Sequence, residues 1–123
     1  MTNPLVETVH ACGFIISEAN GNRSRDNAVL VSGQKVKAGQ VLGRITSGGK
    51  LAFYDNDASD GTQAAIGISI NDCDATSADQ PIAILARDAE VIGAELVWET
   101  AGSPAVDQAA GKVDLAALHI IVR

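Results

Sequence analysis

The residues of this chain that could do chemistry include an acidic loop rich in turn-forming residues. Asp55, Asp57 and Asp60 precede Gly61 and Thr62, and their spacing resembles part of a calcium-binding loop with oxygen ligands. The stretch lacks the twelve-residue spacing and the closing glutamate that such a loop needs. Because Asp side chains also hydrogen-bond their own backbone in tight loops, the sequence favours a loop-stabilising role, and we expect no metal.

The cysteines and histidines do not form a catalytic pattern. Cys12 and Cys73 are far apart and lack metal-ligand spacing, so both are expected to be free thiols that pack as small apolar side chains. His10 lies two residues before Cys12, and His119 lies near the C-terminus. Neither histidine has the third, orienting group that a nucleophile–base pair requires. The sequence therefore predicts that the protein is not an enzyme and uses no cofactor.

Charge argues against several classes of partner. The formal net charge is −6, and the nine Lys and Arg residues are scattered; Arg23 and Arg25, in a polar loop, are expected to be solvated. Nucleic acids and anionic membranes both require clustered basic residues, so neither is an expected partner. No apolar run approaches the roughly 20 residues of a membrane span, and the N-terminus does not resemble a signal peptide. We therefore expect synthesis in the cytoplasm.

Short apolar runs separated by glycines and polar loops predict a single, mainly β domain with one short C-terminal helix, an α+β fold. Ser47-Gly48-Gly49 is a hairpin signal between two of the runs. Apolar residues three and four apart predict a helix over 107–118, which Gly111 weakens by about 1 kcal/mol. The predicted strands cover residues 12–17, 27–32, 41–46, 51–54, 65–70, 81–87 and 119–123, with a shorter strand or turn over 88–93.

An ordered set of short motifs in this framework resembles one known family. The motifs are Val41-Leu42-Gly43, Tyr54-Asp55, Asp60-Gly61-Thr62, Ala65-Ile66-Gly67-Ile68, Asp88-Ala89-Glu90-Val91 and Leu96-Val97-Trp98. Together they are similar to the head decoration protein of tailed phages, the phage lambda protein D family. The resemblance implies a compact β-tulip domain that forms a homotrimer. It also implies that the trimer binds the major capsid protein at three-fold sites outside the expanded capsid, on the virion surface, and stabilises the shell against the pressure of packaged DNA.

The resemblance further implies an N-terminal arm that becomes ordered on the capsid. We assign residues 1–14 to this capsid-binding arm and residues 15–123 to the β-rich decoration domain. The alternation of side chains along the arm suits a strand that adds to an exposed sheet edge. The candidate capsid-binding residues are Pro4, Leu5, Val6, Glu7, Thr8 and Val9.

Trp98 is the single tryptophan of the chain and follows an apolar run. A buried tryptophan needs a hydrogen-bond partner for its indole N–H, whereas an exposed one is typical of an interface anchor. The sequence leaves both the core and a subunit interface open, and we predict a place at the trimer interface.

A carrier domain is the alternative from a different functional class. Residues 33–43 resemble the turn-and-strand segment of biotinyl and lipoyl carrier domains, which present a modified lysine in a Met-Lys-Met or Asp-Lys-Ala hairpin. In this chain the following hairpin reads Ser47-Gly48-Gly49-Lys50-Leu51 and lacks that context. Shared turn geometry therefore explains the likeness better than shared function.

Overall fold

The computed structural model describes residues 12–98 and 104–123. In these residues the fold is mainly β with one C-terminal helix, as predicted. The strands are β1 (Ile15–Glu18), β2 (Arg25–Leu30), β3 (Lys35–Val36), β4 (Val41–Arg44), β5 (Leu51–Phe53), β6 (Ala65–Ser69), β7 (Cys73–Asp74), β8 (Gln80–Leu85), β9 (Ala89–Val91) and β10 (Ile120–Val122). The helix α1 is Pro104–Ala117, and a short 3-10 helix covers Gly93–Glu95.

Five strands close into a barrel in the order β2-β5-β4-β6-β8. The longest pairing is antiparallel, between β2 and β8, and one contact, between Leu30 of β2 and Leu51 of β5, is parallel. The predicted hairpin is confirmed, because β4 and β5 are antiparallel and the N–H of Ile45 donates to the C=O of Lys50 across the turn. Closure satisfies the strand edges that an open sheet would expose.

A separate three-stranded sheet lies outside the barrel, with β9 between β1 and β10. Strand β9 is antiparallel to β1 and parallel to β10, the predicted terminal strand. Strands β3 and β7 form a two-stranded sheet that the sequence did not predict. Each has two residues within a polar connection, which is too short for any alternation of apolar and polar residues to show.

The core consists of two apolar clusters on opposite faces of the barrel strands. Consecutive residues Val41 and Leu42, and likewise Ile84 and Leu85, are all buried but enter different clusters. One cluster also includes side chains of the outer sheet and of α1, such as Val91 and Leu115. Because side chains alternate along a strand, burial on both faces explains why these strands read as continuous apolar runs.

Helix α1 begins at Pro104, three residues before the predicted start, as Pro favours the first helical turn. Its packing side buries Leu115 completely. The Oδ2 atom of Asp114 accepts a hydrogen bond from the backbone N–H of Ala65 at 3.0 Å, which attaches the helix to β6. His119, in the left-handed region at φ 62°, then directs the chain into β10.

Candidate functional site

The candidate arm residues lie before Cys12, the point where the described chain enters the domain. The N–H of Cys12 donates to the C=O of Ile70 at 3.2 Å, and its own C=O accepts from the N–H of Ile15 at 3.1 Å. Phe14, at the end of the predicted arm, is completely buried. The backbone is thus bound to the domain from Cys12 onward. The residues that fall outside the described ones are Pro4, Leu5, Val6, Glu7, Thr8 and Val9.

The guanidinium of Arg25 connects this entry point to two strands. Its Nε and Nη2 atoms donate to the two carboxylate oxygens of Glu18 at 3.0 and 2.7 Å, and Nη2 lies 3.6 Å from the Sγ of Cys12. The hydrogen bond that Arg25 donates to Glu18 raises the pKa of Arg25 above its ordinary value. Arg25 begins β2 of the barrel and Glu18 ends β1 of the outer sheet. We define Cys12, Glu18 and Arg25 as the arm-root cluster.

Trp98 is half-buried and packs against the core cluster that includes Tyr54. The two rings meet edge-to-face, with centroids 6.0 Å apart and planes at 71°. The Trp98 ring also lies over Gly111 of α1, where an added Cβ would come within 2.5 Å of the indole Cζ3 atom. One part of the Trp98 side chain is therefore packed against Tyr54 and Gly111, while the rest remains accessible to solvent.

The acidic loop uses its carboxylates on its own backbone. Asp55 Oδ1 accepts from the N–H of Asp57 at 3.0 Å, and Asp60 Oδ1 accepts from the hydroxyl and the N–H of Thr62 at 2.6 and 3.1 Å. The hydroxyl hydrogen bond lowers the pKa of Asp60. Within residues 12–98 and 104–123, no three His, Cys, Asp or Glu side chains are grouped so that they could hold a metal ion. The contacts fit the loop-stabilising role predicted from the sequence.

A hollow of about 500 Å³ lies beside the outer sheet and contains Ser17, Asp88 and His119 among its lining residues. In the part of the chain that the structure describes, no hydrogen bond joins these three side chains. A nucleophile and its base must lie within hydrogen-bond reach, so the lining does not form a catalytic triad.

Cys12 and Cys73 are free thiols, as expected.

The comparison with known families identifies the relationship. The family model for bacteriophage lambda head decoration protein D matches residues 4–120. The chain belongs to this family. The match confirms the resemblance seen in the motifs, and it extends to the candidate arm residues. No curated protein is similar enough to the chain to count as a relative.

Membership in the decoration protein D family assigns the chain a structural role on the phage head. Its partner is therefore the phage capsid, and its location is the virion. Among the described residues, no helix combines the length and the hydropathy needed to cross a membrane. The family gives no support to the carrier alternative. The ammonium of Lys50, the lysine that a carrier would modify, forms an ion pair with Asp79 at 2.5 Å.

One member of the arm-root cluster was misjudged from the sequence of this decoration protein. Arg23 is solvated as expected, with 71% of its side chain exposed and a long ion-pair distance of 3.9 Å to Asp88, but Arg25 is paired with Glu18 at 2.7 Å and only 35% exposed. The available signal was Glu18, which lies on the other side of the Asn20-Gly21 turn from Arg25. A turn reverses the chain, so residues on its two sides come close together, here although β1 and β2 belong to different sheets.

Proposed function

We propose that the protein is a capsid cement that binds as a homotrimer at three-fold sites on the outside of the expanded phage head. The trimer contacts neighbouring copies of the major capsid protein and stabilises the shell against the pressure of packaged DNA. The observation that carries this proposal is the family match over residues 4–120, nearly the whole chain. The protein is made in the host cytoplasm and assembles onto the capsid there.

The arm is the proposed capsid-binding segment. Residues Leu5–Val9 alternate in a way that suits addition to a sheet edge, where main-chain hydrogen bonds supply affinity and alternate side chains supply specificity. The arm joins the domain at Cys12, whose backbone N–H donates to the C=O of Ile70, the residue after β6. The proposed contact residues are Pro4, Leu5, Val6, Glu7, Thr8 and Val9.

Trimerisation multiplies the contribution of each arm. When one arm is bound, the other two are held near their own sites, which strengthens binding by roughly 10²–10⁴ over a single arm. The charge of −6 on each chain keeps free trimers soluble. Neither nucleic acid nor membrane belongs to the proposed set of partners.

We place Trp98 at the trimer interface. Its half-buried ring is held by Tyr54 and Gly111, and rigid aromatic side chains of this kind are enriched in protein interfaces. We also assign the barrel, with its outer sheet and helix, to the β-tulip type that the resemblance implies.

Deletion of residues 2–11 tests the arm. We expect the shortened chain to remain a folded trimer by circular dichroism and analytical ultracentrifugation but to leave capsids bare at a concentration where the full chain saturates them. A chain with residues 4–9 in scrambled order keeps the length and composition of the arm and serves as the matched control; it should also fail to bind. Full affinity after the deletion would contradict the proposed role of the arm.

A further inference from the structure

The arm-root cluster holds Cys12 in a backbone conformation that is unfavourable for its residue type. Its φ of 63° lies in the left-handed region, where the Cβ of a non-glycine residue comes too close to the following carbonyl oxygen. Such a conformation persists where the surrounding contacts over-determine it. The contacts here are the backbone hydrogen bond to Ile70, the turn to Ile15 and the guanidinium of Arg25 against Sγ.

Arg25 is in turn fixed by Glu18 through two hydrogen bonds. The paired, planar geometry of this contact restricts the guanidinium far more than a single point contact would. Because one partner belongs to the barrel and the other to the outer sheet, the ion pair couples the position of Cys12 to both parts of the domain.

We propose that Arg25 and Glu18 are positioning residues for capsid binding: by holding Cys12 they fix the position and the direction of the backbone at the point where the proposed arm joins the domain. This inference rests on the proposed function of the arm. An arm that leaves in a fixed direction samples fewer wrong orientations, so it loses less conformational entropy on binding. Because a trimer binds through three arms, the saving in conformational entropy applies to each arm and adds to the affinity of the whole trimer.

Arg25→Met tests the proposal, because it keeps an apolar stem of similar length and removes both the ion pair and the contact with Cys12. The matched control is Arg87→Met, which removes an ion pair to Asp26 of β2 and a hydrogen bond to the C=O of Arg23 from a side chain of similar exposure that does not touch Cys12. We expect Arg25→Met to weaken capsid binding about five- to tenfold, a size typical of the coupling between residues in contact such as Arg25 and Cys12. Arg87→Met should weaken binding by less than about twofold. Glu18→Gln, which keeps the side-chain shape, provides a second variant in case Arg25→Met does not fold.

Amide hydrogen exchange separates positioning from a general loss of stability. In free Arg25→Met protein the amide of Cys12 should exchange about tenfold faster, while amides in β4 and β6 keep the rate of the Arg87→Met control. Equal capsid affinity for the two methionine variants, with binding lost on deletion of residues 2–11, would overturn the positioning role and leave the arm proposal intact. Undiminished binding after the deletion would overturn both.

Discussion

Replacement of Gly111 by alanine measures whether the gain in helix propensity or the steric overlap with neighbouring side chains has the larger effect on stability. In an isolated helix the change would stabilise by about 1 kcal/mol. In this fold the new Cβ would lie 2.5 Å from Cζ3 and 3.0 Å from Cη2 of Trp98, and 3.0 Å from Cε2 of Tyr54. The Trp98 ring must therefore retreat by about 1 Å to reach ordinary contact distance, and its edge-to-face pairing with Tyr54 is disturbed.

The packing cost exceeds the gain in helix propensity. Overpacking of this kind costs about 1–3 kcal/mol, and the aromatic pair loses part of its roughly 0.5–1.5 kcal/mol. After subtraction of the propensity gain, we expect a net destabilisation of about 1–2 kcal/mol and a fall in Tm of roughly 4–8 °C. Urea unfolding followed by far-UV circular dichroism, at one chain concentration, measures the difference.

Two further variants identify the cause of that loss. Val113→Ala, on the same helix at a side chain that is 70% exposed, should change stability by less than about 0.5 kcal/mol. In a Trp98→Leu background the two close approaches to the indole ring are removed and only the 3.0 Å approach to Cε2 of Tyr54 remains, so Gly111→Ala should destabilise the protein less than it does when Trp98 is present. If Gly111→Ala stabilises the protein while Trp98 is present, the described packing of Trp98 over the helix is wrong.

Two other predictions concern a tight turn and a tethering carboxylate. Gly61→Ala should destabilise by roughly 3 kcal/mol or more in urea unfolding, because the residue has φ 111° and an added Cβ would lie 2.4 Å from the carbonyl oxygen of Arg44; unchanged stability would contradict this close approach. Hydrogen bonds from Lys50 and from the N–H of Ser32 lower the pKa of Asp79 below its ordinary value of 3.8. The stability that this carboxylate contributes is therefore present above its unfolded pKa and lost as the pH falls through the lower folded value. Unfolding measured from pH 6 to pH 2 should show a shallower acid dependence for Asp79→Asn, and an identical slope would contradict the tether.

The sequence predicted the elements that local patterns specify. The β4–β5 hairpin followed from the Ser47-Gly48-Gly49 turn, and the terminal strand followed from an apolar run after the helix. It could not predict that β2 meets β5 in parallel at Leu30 and Leu51, because this contact depends on closure of the barrel and leaves no local signal.

The arm-root cluster and Gly111 show a second limit. Arg25 was expected to be solvated, since nothing in the local sequence shows that its guanidinium reaches Cys12. Gly111 looked like a weak point of a helix, whereas the close approach of Trp98 requires it. In both cases the deciding contact is made by a residue that is distant in the sequence.

Co-sedimentation of the purified protein with capsids of its own phage, before and after expansion, tests the proposed cement function. We expect saturable binding to expanded capsids, at three chains per local three-fold site, and no binding to unexpanded ones. Absence of binding to both forms would contradict the proposed cement function, and the mass of Lys50 in the natively expressed protein would then test the carrier alternative.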